Sequence, residues 1–133
     1  MGRIPGLFLQ LLVVLHAGLL LWALTGLMEL VLPTVPWPRV ANPLLPRPML
    51  LAHWFSVLAA SLAFLAGYTA GWRHTPLAVA LGYGAMAIVC FVETTQFLVH
   101  DGRWLAMALE YAAYLGIGIF LFRASPARKR FGG

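Results

Sequence analysis

Residues 5–32 read PGLFLQLLVVLHAGLLLWALTGLMELVL, and this stretch decides the class of fold. A helical crossing of a bilayer's hydrocarbon layer takes roughly 20 apolar residues, and here one run exceeds that length. Pro5 suits a first-turn position and Pro33 stops the helix. A secretory signal has an apolar core of roughly 7–15 residues followed by small residues at a cleavage site. This run is longer and ends in Glu29 and Pro33, so it reads as a retained first span. Gly6 stands where a myristoylation motif places Ser or Thr, which removes that reading of Met1-Gly2.

Working outward, three further runs of the same character follow, at about 49–72, 76–99 and 104–122. The whole chain agrees with them: 133 residues, 62% hydrophobic and 10% charged, with mean hydropathy +0.86. A soluble domain of this length carries far more charge. The expectation is an all-α integral membrane protein, one domain over residues 1–133, built as a four-helix transmembrane bundle. The net charge of +5 is spread over termini and short loops, with no basic face for nucleic acid. Cys90 is the single cysteine and lies in an apolar run, so no intrachain disulfide forms, and it reads as a small core residue.

The connections are legible too. Residues 33–48 hold six prolines (33, 36, 38, 43, 46 and 48) with Trp37, Arg39 and Arg47. Such a segment is neither regular helix nor central strand. It reads as an interfacial loop with Trp37 as a headgroup-level anchor. Arg73-His74-Thr75-Pro76 and His100-Asp101-Gly102-Arg103 read as turns, and 123–133 as a basic, frayed tail. Four crossings put both termini and the 73–76 turn on one side, with Arg3, Arg73, Arg123, Arg128, Lys129 and Arg130. Arg39, Arg47 and Arg103 fall on the other. The positive-inside rule then places both termini in the cytoplasm.

Small residues recur on the spans: Ala59, Ala63, Gly67 and Gly71 on the second, Gly82 and Gly84 on the third, Gly116 and Gly118 on the fourth. They let helix backbones approach closely, either within one bundle or between copies or subunits.

The ionisable residues gather toward the opposite end from the termini. Glu29, Glu93, Asp101 and Glu110 map there, as do His53, His100, Gln96 and Arg103. Glu93, Gln96 and His100 stand at i, i+3 and i+7, one helical face, and Glu110 and Tyr114 stand four apart. A lipid-facing carboxylate near the bilayer centre costs roughly 2.5–3.5 kcal/mol. These groups are therefore expected to line a polar pocket open to the outer side, or to form a buried network in which Arg103 pairs with Glu93 or Glu110. Asp101 reads as a loop residue, and Glu29 either lines the rim or meets water. Glu-x-x-His spacing is absent, so neither a metal nor a cofactor is expected. His16, at mid-membrane depth, reads as a packing or hydrogen-bonding histidine, and His74 as a polar turn residue. No soluble-enzyme motif is present.

Two resemblances attach to these residues. His53, Glu93-Thr-Thr-Gln96, Arg103, Glu110, Tyr114 and Gly116 look similar to the pattern of the VanZ-like group of small bacterial envelope proteins. That resemblance implies a plasma-membrane protein with an envelope role, as in glycopeptide resistance. Trp72-Arg-His-Thr-Pro76, Phe97-Leu-Val-His-Asp-Gly102 and Tyr111-Ala-Ala-Tyr-Leu115 resemble segments of the EXPERA group, four-helix proteins that include a sterol isomerase. It implies intramembrane acids that hold a cationic ligand or shuttle a proton, with Glu29 and Glu93 as counterparts. The leading expectation is a pocket for an amphipathic or lipid-linked molecule. Glu93, Gln96, His100, Arg103, Glu110 and Tyr114 orient its head group, and His53 and Glu29 complete the rim. The rivals are an intramembrane isomerase with Glu93 and His53 as proton carriers, and an accessory subunit docking through its glycine faces.

Overall fold

A computed structural model describes residues 3–132. Four long helices are present: α1 (Arg3–Val31), α2 (Arg47–Ala70), α3 (Thr75–Val92), which runs on into one π turn (Glu93–Phe97), and α4 (Arg103–Arg123). Each is long and apolar enough to cross a membrane, which marks the chain as an integral membrane protein. The expected spans match these to within two residues at most ends. The basic tail differs: residues 125–131 form a fifth helix, α5 (Ser125–Phe131). Its Ala127 and Phe131, four apart, are buried, and Phe131 packs edge-on to Phe64 and Tyr68. The tail is helical because those two apolar residues supply one short buried face.

The α2–α3 hairpin is tight. Gly71 takes the left-handed conformation at φ 64°, and the amides of Trp72 and Gly71 donate to the carbonyls of Gly67 and Tyr68, the Schellman closure of a helix. Arg130 on α5 donates to the Tyr68 and Thr69 carbonyls, so the same helix end is held from a second element. Close approach continues up the hairpin, where a Cβ on Gly82 would lie 2.8 Å from the Cα of Ala60. Gly84, Gly116 and Gly118 differ, since a Cβ on any of them would meet open space. Within one chain only part of the expected small-residue face is therefore used for packing.

Two apolar clusters result. The one near the termini joins Leu9 and Leu12 of α1 to Phe64, Val79, Leu121 and Phe131. The other gathers Ala23, Leu45, Leu50, Trp54 and Val57 beneath the Pro-rich loop. His16 sits fully buried between them. Its Nδ1 donates to the Leu12 carbonyl at 2.7 Å, the Tyr83 hydroxyl donates to its Nε2 at 2.6 Å, and its ring stacks on Phe64. The expected hydrogen-bonding role of His16 is what the structure contains.

The loop between α1 and α2 is ordered by Glu29. One carboxylate oxygen accepts the Val40 amide at 2.7 Å and the other the Ala41 amide at 3.0 Å. Arg47 donates to the Leu30 carbonyl at the end of α1. Prolines remove the loop's own amide donors, so a side chain binds the amides that remain. Charge-assisted bonds of this kind contribute roughly 1.5–3 kcal/mol. Glu29→Ala is expected to lower the unfolding midpoint and to speed proteolysis between residues 33 and 46, read by limited digestion in detergent.

Helix α4 is placed differently from the other three. It lies along α3, tied by the Tyr111 hydroxyl to the Ala87 carbonyl at 2.8 Å, and packs along neither α1 nor α2. It meets α1 where Phe8 and Phe120 stand edge-to-face at 4.6 Å, and α5 closes that same end. Toward the other end a cleft is lined by Leu15, Leu19 and Trp22 of α1 and by Glu110, Tyr114 and Ile117 of α4.

Candidate functional site

The cleft is a cavity of about 290 Å³ whose walls come from all four long helices. Helical spacing sets each contribution: Leu15, Leu19 and Trp22 from α1, His53, Ser56 and Val57 from α2, and Glu110, Ala113, Tyr114 and Ile117 from α4. α3 supplies Tyr83, Met86, Cys90 and Glu93, at i, i+3, i+7 and i+10. Most of the wall is apolar. The polar groups are concentrated near the loop end.

Glu93 and His53 form the centre of that polar region. His53 Nδ1 donates to Glu93 Oε1 at 2.7 Å, across the α2–α3 interface. His53 is boxed by Trp22 and Trp54, whose rings stand nearly perpendicular to it at 5.6 and 4.6 Å. Trp54 fits there because Gly26 on α1 has no side chain, and a Cβ at that position would run into the indole. The imidazole is thus fixed in orientation by two aromatic walls and one carboxylate. Its Nε2 has no hydrogen-bond partner among the described residues. Across the cavity the Tyr114 hydroxyl donates to Glu110 Oε2 at 3.0 Å, and the Tyr114 ring leans on Tyr83 at 5.1 Å.

Helical spacing along α3 turns Glu93 inward, and the π turn that begins there removes the expected face beyond it. The Leu98 amide donates to the Glu93 carbonyl at 2.9 Å, five residues back. The Thr95 hydroxyl donates to the Phe91 carbonyl at 2.8 Å, a back-bond that competes with the main-chain ladder. Single π turns recur at functional sites. Glu93 and Thr94 are buried, while Gln96 and His100 are exposed and do not line the cavity. The i, i+3, i+7 alignment of Glu93, Gln96 and His100 fails because helical geometry stops at Phe97 and Leu98 is extended.

No family model, curated protein or solved structure matches this chain. The geometry must therefore carry the functional argument.

Of the residues singled out from sequence, His53, Glu93, Glu110 and Tyr114 converge on the cleft. Glu29 stands apart, both oxygens engaged by the loop. Arg103 pairs with neither Glu93 nor Glu110; the one ion pair among the described residues is His53–Glu93. Its guanidinium donates to the His100 carbonyl and lies over the Trp104 ring at 5.0 Å, closing the turn before α4. Asp101 is an exposed turn residue. No cluster of three potential metal ligands occurs among the described residues.

Sequence reasoning missed Tyr83, Trp22 and the cavity-facing role of Cys90. Counting back from Glu93 on α3, Cys90, Met86 and Tyr83 fall at i−3, i−7 and i−10. The same periodic argument, run toward the N-terminus, finds them.

Proposed function

We propose that the chain is a four-span membrane protein, both termini cytoplasmic, that holds an amphipathic molecule in this cleft with a cationic, hydrogen-bond-donating head group. One observation carries the reading: two carboxylates, Glu93 and Glu110, face a largely apolar cavity that no Lys or Arg lines. A carboxylate away from bulk water is costly unless paired. His53 and Tyr114 each satisfy one oxygen, and an ammonium head would meet the remaining acceptors. Tyr83, Tyr114 and Trp22 offer the aromatic faces that attract such cations. Leu15, Leu19, Met86 and Ile117 would take the apolar body. The volume of about 290 Å³ falls just below the usual span of ligand sites, roughly 300–1,000 Å³, which suits a head group and the first part of a chain. A lipid-linked phosphate is the poorer candidate, because two carboxylates would repel it.

The reading is tested by filling the cavity. Ala113 lines it from an exposed position on α4, so Ala113→Phe takes up space without disturbing the buried interfaces. Binding of a long-chain alkylamine, followed by quenching of tryptophan fluorescence, should fall at least about tenfold in this variant. Equal affinity for the amine and for a fatty acid of the same length would sink the proposal.

A second reading has its own support. A carboxylate–imidazole pair with a free Nε2 beside a second carboxylate is an arrangement able to remove a proton at one carbon and return one at another. Under that reading His53 is the base, oriented by Glu93, and Glu110 the acid. Incubation with an unsaturated amphiphile in deuterated water checks it, since solvent deuterium must appear in the product.

A further inference from the structure

At the opposite end of the molecule a second recess of about 260 Å³ lies between the α2–α3 turn and α5. Arg73 and His74 border it on one side and Arg128 on the other, and Leu77 and Phe122 continue the wall along the helices. Arg73 Nε donates to His74 Nε2 at 3.1 Å, which holds the guanidinium against the imidazole and leaves its terminal nitrogens without a partner among the described residues. Arg128 has no side-chain hydrogen bond among them either. Arg130 is otherwise engaged, on the Tyr68 and Thr69 carbonyls. No acidic side chain is near: Glu110, the closest along α4, stands thirteen residues before Arg123, roughly 20 Å of helix.

Two exposed guanidinium groups face one recess with no carboxylate side chain beside them among the described residues, an arrangement suited to an oxyanion. The apolar wall adds a second requirement. Leu77 and Phe122 are about half exposed (52% and 51%), and they lead from the recess along the membrane-spanning surface. Free phosphate has no use for such a wall, whereas an acyl chain lies along it. The short helix α5 fits the same setting: Ala127 and Phe131 hold it against the bundle, and Arg128, Lys129 and Arg130 are exposed, where an anionic leaflet attracts basic residues.

We propose that this recess binds the phosphate head group of an anionic phospholipid, with Arg73 and Arg128 as its two arms and one acyl chain along Leu77 and Phe122. The site is separate from the cleft, and its occupancy does not require the cleft ligand. An anionic leaflet attracts basic residues generally, so the test must distinguish a built recess from diffuse charge. The purified full-length protein is titrated with phosphatidylglycerol and with phosphatidylcholine, and bound lipid is counted by native mass spectrometry.

Wild type is expected to prefer phosphatidylglycerol by about tenfold or more. The pair Arg73→Gln with Arg128→Gln should lose that preference. The pair Arg123→Gln with Lys129→Gln removes the same charge from the same end but outside the recess, and should keep it. Circular dichroism confirms that both pairs remain helical. Equal loss in the two pairs, or no preference in wild type, overturns the proposal. Full displacement of the lipid by inorganic phosphate at roughly 10 mM, ten times a 1 mM Kd, also overturns it, by assigning the recess to soluble oxyanions.

Discussion

Glu93→Gln is expected to weaken binding of a long-chain alkylamine at least about thirtyfold while leaving the helices and their packing in place. The substitution keeps the shape of the side chain, and the glutamine carbonyl still accepts from His53 Nδ1, which stands 2.7 Å from Glu93 Oε1. What it removes is a charge. Truncating one member of a buried, hydrogen-bonded charge pair costs roughly 2–5 kcal/mol, and about 2 kcal/mol corresponds to thirtyfold. Uncharged amphiphiles of the same length should bind the variant and wild type alike. That contrast separates loss of the charge from loss of the cavity. An unchanged affinity for the amine would remove Glu93 from the site. Glu110→Gln should act in the same direction with a smaller effect, because Tyr114 already donates to one of its oxygens.

The largest structural effect is expected at Gly82. A Cβ there would lie 2.8 Å from both Cα and Cβ of Ala60 and 3.3 Å from its amide nitrogen. Those atoms belong to the backbone of α2 or are fixed to it, so no side-chain rotation relieves the contact. Gly82→Leu must drive α2 and α3 apart along the interface that also brings His53 to Glu93. Overpacking a well-filled site costs roughly 1–3 kcal/mol, and a full leucine side chain between two helices should exceed about 3 kcal/mol. The control is two residues away. Gly84 has open space before it, so Gly84→Leu should unfold near the wild-type temperature in detergent. If the two variants melt together, the α2–α3 contact is not as close as described.

The spans were legible because apolar length is written directly in the residues and needs no tertiary information. So were the Pro-rich loop and the turns, where proline and glycine act locally. The site was legible in part. His53, Glu93, Glu110 and Tyr114 are exceptions to the surrounding apolar pattern, and all four line the cleft, Glu93 buried and Glu110 at its exposed edge. An ideal helix projected past Glu93 puts Gln96 and His100 with them. That projection assumes about 100° per residue, and the π turn changes the phase within one turn. Nothing in Glu-Thr-Thr-Gln alone announces it, although two adjacent threonines able to bond back to the ladder are a hint. Glu29 shows another limit. Its partners are the Val40 and Ala41 amides, eleven and twelve residues on, and no periodicity links a helix end to a loop's main chain. The helical tail was hidden by its charge, because the basic residues obscure the pairing of Ala127 with Phe131.

Helix α4 buries a single residue, Leu121, and leaves α1 just beyond the Phe8–Phe120 contact. Under the proposed function, a molecule entering through that gap would come sideways out of the leaflet rather than from water. The quantity that loads the cleft is then a mole fraction in the hydrocarbon phase, not a molarity. Affinities measured in detergent should scale with the amount of micelle present, and doubling the detergent at fixed ligand should halve the occupancy of an unsaturated site.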